Sequence, residues 1–165
     1  MIKERLVGYI EQSIRQNWDI EALSNFREKG YTYHEIASKI LRLHIFFREI
    51  GLSEGDKIAL VGRNSANWCV VYLAAVTYGA VIVPVLPDFK PDDHMNIINH
   101  SDSKLLFADE KIWETFDFGK IAEIISVISL EDFSHLKSRK PEAETAYSAS
   151  EAKYTSIYPE LKPEN

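Results

Sequence analysis

Asp109 follows the apolar run Leu105–Ala108, where a sheet strand would deliver a carboxylate to its carboxyl end. A phospho-accepting carboxylate in that place needs an acidic pair after the first strand. The corresponding loop here is Gly62-Arg63-Asn64. Asp109 therefore reads as the cap of a helix carrying Ile112, Trp113 and Phe116. The loop Gly62-Arg63-Asn64-Ser65 joins a strand to a helix N-terminus, a place where anions bind in many α/β folds. It holds one glycine and neither G-x-G-x-x-G nor G-x-x-x-x-G-K-[ST], so it reads as a capping loop. His34, His44, His94, His100 and His135 are scattered, with no H-x-x-x-H pair and no neighbouring cysteine to suggest zinc. His100-Ser101-Asp102 has the residue types of a nucleophilic triad, but adjacent residues do not face one another, and triads assemble from distant segments. Cys69 lies inside the most apolar helical stretch and reads as a small core residue with a raised thiol pKa. Trp68 reads as core, with Val71, Tyr72 and Ala75 on the same helix face. Deleting a buried Trp68 side chain would cost roughly 3–5 kcal/mol.

These residues hang on a regular alternation of strands and helices. Apolar repeats at Ile2, Leu6, Ile10 and Ile14 predict a helix from Ile2 to about Asn17. Ala22–Tyr33 reads as a hairpin turning at Arg27-Glu28-Lys29-Gly30. Thr32 and Glu35 form a capping box for a second helix, with Ile36, Ile40, Leu43 and Phe47 buried and Gly51 as its left-handed stop. Strands are predicted near 57–61, 81–85, 105–108 and 124–128, each interval long enough for a helix. Strands joined through helices run parallel with right-handed crossovers. Their continuous apolar runs, I-A-L-V, V-I-V-P-V and L-L-F-A, mark strands covered on both faces. The fold class is an open, mostly parallel α/β sheet with helices on both faces, preceded by a helix and a short hairpin. The helix Ser65–Tyr78 is apolar nearly all round, which predicts burial between the sheet and a further layer. Residues 1–136 form the α/β segment. Residues 137–165 carry Pro141, Pro159 and Pro163 among Ser, Glu and Lys, and read as a linker or loosely docked tail.

The chain has 165 residues, 45% hydrophobic and 27% charged, an ordinary globular balance for one domain. Its net charge of −6 argues against nucleic-acid or anionic-membrane partners. No window reaches the roughly 18 apolar residues of a membrane span. The acidic residues and missing cleavage site at the N-terminus exclude a signal peptide. The single cysteine excludes an intrachain disulfide, and a cytoplasmic location is expected.

Several pieces, in order and at matching spacing, resemble the adenylate-forming acyl-CoA synthetases (AMP-binding ligases). They are Tyr31-Thr32-Tyr33-His34-Glu35, Gly55-Asp56-Lys57-Ile58-Ala59-Leu60, Asn64-Ser65-Ala66-Asn67-Trp68, Gly79-Ala80-Val81-Ile82-Val83-Pro84, and Ile98-Asn99-His100-Ser101-Asp102-Ser103-Lys104-Leu105-Leu106-Phe107. The resemblance covers roughly Ala22–Ala108 and is strongest to the N-terminal portion of long-chain fatty-acid–CoA ligases. Asn67 departs from the Glu usual before the tryptophan. The resemblance implies a parent that uses ATP, Mg²⁺ and CoA to convert a fatty acid to an acyl-adenylate and then a thioester. It is peripheral to membranes at most. The family's phosphate loop, Y-T-S-G-T-T-G-x-P-K-G, is imitated only by Tyr154-Thr155-Ser156, which Ile157-Tyr158-Pro159 follows. No catalytic, cofactor-binding or metal residue carries over, and the fragment is expected to be inactive. In the family this segment packs on a second, similar one, so the helix Ser65–Tyr78 and a rim of Phe46, Phe47, Trp113 and Phe116 are expected to stay open and to favour a homodimer. The alternative is a stand-alone α/β small-molecule-binding or interaction module, with its pocket near Gly62–Ser65 and Pro84–Asp88.

Overall fold

The computed structural model describes residues 5–164. Five strands, β3 (Lys57–Val61), β4 (Val81–Val85), β5 (Ser103–Ala108), β6 (Ser126–Ser129) and β7 (His135–Ser138), form one sheet in the order β4-β3-β5-β6-β7. The first four run parallel, and β7 returns antiparallel to β6. Alternate residues of the strands feed opposite cores. Ile58, Leu60, Leu105, Phe107 and Ile128 face one layer, while Ala59, Val61, Leu106, Ala108 and Val127 face the other. A sheet buried on both sides needs apolar residues at every position, which is why these runs lack alternation.

The first layer holds α2 (Tyr33–Glu49) and α3 (Ala66–Tyr78). The Thr32–Glu35 capping box forms as expected: Thr32 N donates to the Glu35 carboxylate at 2.8 Å, and Glu35 N to Thr32 Oγ1 at 3.2 Å. Gly51 turns the chain after α2 at φ 76°. α3 begins under Ser65, whose Oγ accepts from Trp68 N, and ends at Gly79 with φ 88°. The layer that buries it against the sheet is α2. The second layer holds α4 (Pro91–His100), which seats Met95 and Ile98 beside Ile121 and Ile124.

Ahead of the sheet come α1 (Leu6–Gln16) and the two-stranded hairpin of β1 (Glu21–Leu23) and β2 (Tyr31–Thr32). The expected stripe on α1 is shallow. Leu6 is 59% exposed, no residue of α1 is buried, and Ile14 alone of the stripe packs against the core. Ile2 lies outside the described residues.

Four expectations are corrected. The interval between β5 and β6 holds only the single turn α5 (Glu110–Trp113) and a 3₁₀ turn at Phe118–Lys120. Asp117 accepts from Gly119 N at 2.9 Å, a local bond that competes with helix continuation. The fourth strand begins at Ser126, later than read, and β7 was not predicted: its edge position leaves only partial burial to pattern it. The tail read at 137–165 begins in β7 and holds α6 (Pro141–Ile157), which packs on α2. Pro141 at the first turn and Glu142 and Glu144 beside it are good helix-starting residues, and the alanines of α6 make up for its few large apolar side chains. Tyr147 anchors it, edge-on to Phe46 at 5.0 Å and donating to Phe133 O, with its phenol pKa pushed up to about 12 by burial. Arg42–Glu151 at 2.5 Å and Lys153–Glu49 flank that contact. Finally, the open rim does not exist as read, because Phe46 and Phe47 are fully buried, Phe46 beneath α6. Exposed large apolar residues include Phe26 in the hairpin and Val81, Leu86 and Phe89 around β4.

Candidate functional site

The carboxyl ends of β3, β5 and β6 bring together Gly62–Ser65, Asp109–Glu110 and Ser129–Glu131. Asp109 takes the N-cap position of α5, yet its carboxylate caps nothing there. It accepts instead from Arg63 N at 2.9 Å, 46 residues away, and so ties the two loops together. Burial raises its pKa, the Arg63 bond pulls the other way, and nearby Glu131 adds to the rise. Glu131 takes the capping role: its carboxylate accepts from Glu110 N at 3.1 and 3.2 Å and from Ser129 Oγ at 2.9 Å.

Gly62 explains why this loop needs a glycine. A Cβ there would lie 2.6 Å from Asp109 Oδ1 and 2.6 Å from Leu130 Cδ1. The glycine permits close approach of two loops, which is a packing role.

Two amides at the N-terminus of α3 are taken by the chain's own side chains. Ala66 N donates to Asn25 Oδ1 at 2.9 Å, and Trp68 N to Ser65 Oγ at 3.1 Å. Beneath them Asn67 forms a knot. Tyr31 Oη donates to Asn67 Oδ1 at 2.9 Å, while Asn67 Nδ2 donates to Leu130 O at 2.8 Å and Glu131 O at 2.9 Å. One buried amide thus joins the hairpin, α3 and the turn after β6. A phosphate would need free amides and a cationic surround. At this edge the amides of Arg63, Ala66 and Trp68 are taken by side chains, and the carboxylates of Asp109, Glu110 and Glu131 line it, with Arg63 held loosely by Asp88 at 3.6 Å. The acidic lining opposes a nucleotide phosphate at this edge.

The other candidates are dispersed. His34 stacks on Trp18 at 4.9 Å. His44 Nε2 donates to Ala74 O at 2.9 Å, bridging α2 to α3, and burial lowers its pKa. His94 is 1% exposed and donates from Nε2 to Leu86 O. His135 sits in β7, 6.1 Å from Tyr147, also with its pKa lowered by burial. Ser101 donates to Ile98 O and pairs with Ser103, while Asp102 turns at φ 53°, so the His100–Asp102 run is a helix end. Tyr154, Thr155 and Ser156 lie within α6, with Thr155 Oγ1 donating to Glu151 O, and form no loop. Cys69 is half-buried, and burial raises its pKa. Trp68 and Tyr72 are half-buried rather than core, stacked on each other at 5.6 Å, because the buried face of α3 is Asn67, Val70, Val71, Ala74 and Ala75. Among the described residues no cluster of three or more His, Cys, Asp or Glu could hold a metal ion, and no helix is long and apolar enough to cross a membrane.

The Asn25–Tyr31–Asn67–Glu131 network was missed by sequence reasoning. Its one signal was a lone amide at the buried start of an otherwise apolar helix.

Residues 10–165 match the family described as AMP-binding enzyme. The chain is 30% identical over 103 residues to the medium-chain fatty-acid–CoA ligase of Escherichia coli strain K12, which covers 62% of this chain and 18% of that protein. It is 31% identical over 81 residues to the long-chain-fatty-acid–CoA ligase of Thermus thermophilus, covering 49% of this chain and 15% of that one. Among solved structures, a long-chain-fatty-acid–CoA ligase from Archaeoglobus fulgidus superposes with a TM-score of 0.70 at 16% identity, over 89% of this chain and 30% of that chain. An anthranilate CoA ligase bound to anthranoyl-AMP gives 0.71 at 16% identity, over 77% and 25%. The match thus spans less than a third of each of these proteins.

Proposed function

Because the chain belongs to the AMP-binding enzyme family, and its fold matches the N-terminal part of the acyl-CoA synthetase fold, we propose that it is the first α/β segment of an ATP-dependent fatty acid–CoA ligase. The parent would form an acyl-adenylate from fatty acid and ATP, with Mg²⁺, and pass the acyl group to CoA in the cytoplasm. The single observation that carries this reading is the family match over residues 10–165, which extends well past the motifs visible by eye. The segment's share of the work is structural. Three amides of its carboxyl edge are taken by the chain's own side chains and the edge is lined by carboxylates, which supports assigning nucleotide binding to other parts of the parent.

The test has two arms. Incubated with ATP, Mg²⁺ and decanoate, the chain alone is expected to release no pyrophosphate above a blank without protein. Grafted into the Escherichia coli medium-chain ligase in place of the matching segment, it is expected to preserve measurable pyrophosphate release. Activity of the isolated chain would overturn the division of labour. A chimera that folds but has no activity would overturn the assignment.

A further inference from the structure

An apolar cavity lies far from the carboxyl edge, between α1 and α2. It is a groove, open on one side, of about 290 Å³. Val7, Ile10 and Ile14 of α1 form one wall, and Ala37 and Ile40 of α2 the other. His44 and Thr77 close the bottom, and Leu161 and Pro163 lie over the top. The polar groups at the bottom are spoken for. His44 Nε2 donates to Ala74 O, and Thr77 Oγ1 donates to Leu73 O at 2.7 Å. The rim charges are paired as well: Arg15 with Glu11 at 3.0 Å and with Pro163 O, and Lys162 with Glu160 at 3.2 Å.

Shape and size narrow the occupant. The lining follows α1 from Val7 to Arg15, a climb of about 12 Å at the helical rise. The volume corresponds to about ten water-sized groups. A space that long and that small is narrow, and it suits one extended chain better than a compact ring. With the polar groups of His44, Thr77, Glu11, Arg15 and Lys162 already bonded, burial of apolar surface is the main driving force, and a buried charge would be penalised. The same geometry leaves a way in, because no residue of α1 is buried and that wall is held lightly.

We propose that the α1–α2 cavity is a binding site for a single alkyl chain of about eight to ten carbons, held by its hydrocarbon and not by its head group. The site stands apart from the ligase assignment and would survive its failure.

The probes are decanol and decanoate, each titrated below its aggregation concentration into the 165-residue chain, with Trp18 emission and methyl chemical shifts as readouts. Trp18 lines the cavity, so its emission should change saturably. The methyls of Val7, Ile10, Ile14 and Ile40 should shift, while those of Val127 and Ile124 in the opposite core should not. Decanol and decanoate should bind within about threefold of each other. Ala37→Phe fills the space and should weaken both at least tenfold. No saturable change, shifts spread equally over both cores, binding of decanoate alone, or undiminished binding by a folded Ala37→Phe would each overturn the proposal. The methyl map is read on the unsubstituted chain, so the test holds even if Ala37→Phe fails to fold.

Discussion

Replacing Asn67 by Leu keeps side-chain size while deleting both ends of the knot beneath the α3 N-terminus. Three partners lose their bonds: the Tyr31 hydroxyl, Leu130 O and Glu131 O. They are not equal. Tyr31 is half-buried and the bond to Glu131 O is partly open, so both can turn to water, whereas the bond to Leu130 O is buried. A buried group left without a partner costs about 1–3 kcal/mol, and the two accessible ones add a few tenths each, which gives a loss of about 2–3 kcal/mol. For a domain of this size that lowers the melting temperature by about 5–10 °C. Asn67→Asp sharpens the test. An ionised carboxylate there faces two carbonyl oxygens and the nearby Glu131, so its folded pKa is raised above the unfolded value near 3.9. The protonated carboxyl can still donate one bond. The stability of Asn67→Asp is therefore best below pH 4 and falls as pH rises through the folded pKa. Urea unfolding at pH 4 and pH 7 reads both effects. A loss under about 0.5 kcal/mol for Asn67→Leu, or no pH dependence beyond that of the parent chain for Asn67→Asp, would refute the knot.

Phe47→Ala should cost about 3–5 kcal/mol by urea unfolding, since Phe47 is fully buried against Phe107 at 6.4 Å and Tyr78 at 5.3 Å. Trp68→Ala should cost only about 1–2 kcal/mol, because the ring is half-buried on Tyr72, and a loss above 3 would place it in the core after all. His44 and His135 have lowered pKa values, so their neutral forms favour the fold: stability is fully present above about pH 6.5 and declines as pH falls toward the folded values. His44→Gln should flatten part of that decline in thermal melts from pH 7 to pH 5. Self-association at micromolar concentration is expected to run through the exposed Leu86 and Phe89, and Leu86→Glu to leave a clean monomer in sedimentation.

The parallel sheet was legible because double-sided burial writes itself as continuous apolar runs, and the capping box and Gly51 because their backbone demands are local. What escaped was decided by distant partners. α6 carries little apolar surface of its own and is held by Tyr147 on Phe46 and by two ion pairs to α2, none of which a local window contains. Trp68 looked like core because an all-apolar helix has no polar face to set its rotation. Only the positions of α2 and the sheet select Val70, Val71, Ala74 and Ala75 as the buried side.

The carboxyl edge carries the same argument into function. A strand–loop–helix junction offers backbone amides, and whether they bind a ligand depends on what else the fold brings to them. Here Asn25 arrives from the hairpin, Ser65 from the loop itself and Asp109 from the next strand, and each takes one amide. Gly62, which could have been read as a phosphate-loop glycine, leaves room for Asp109. These bonds of the loop therefore join segments of its own fold.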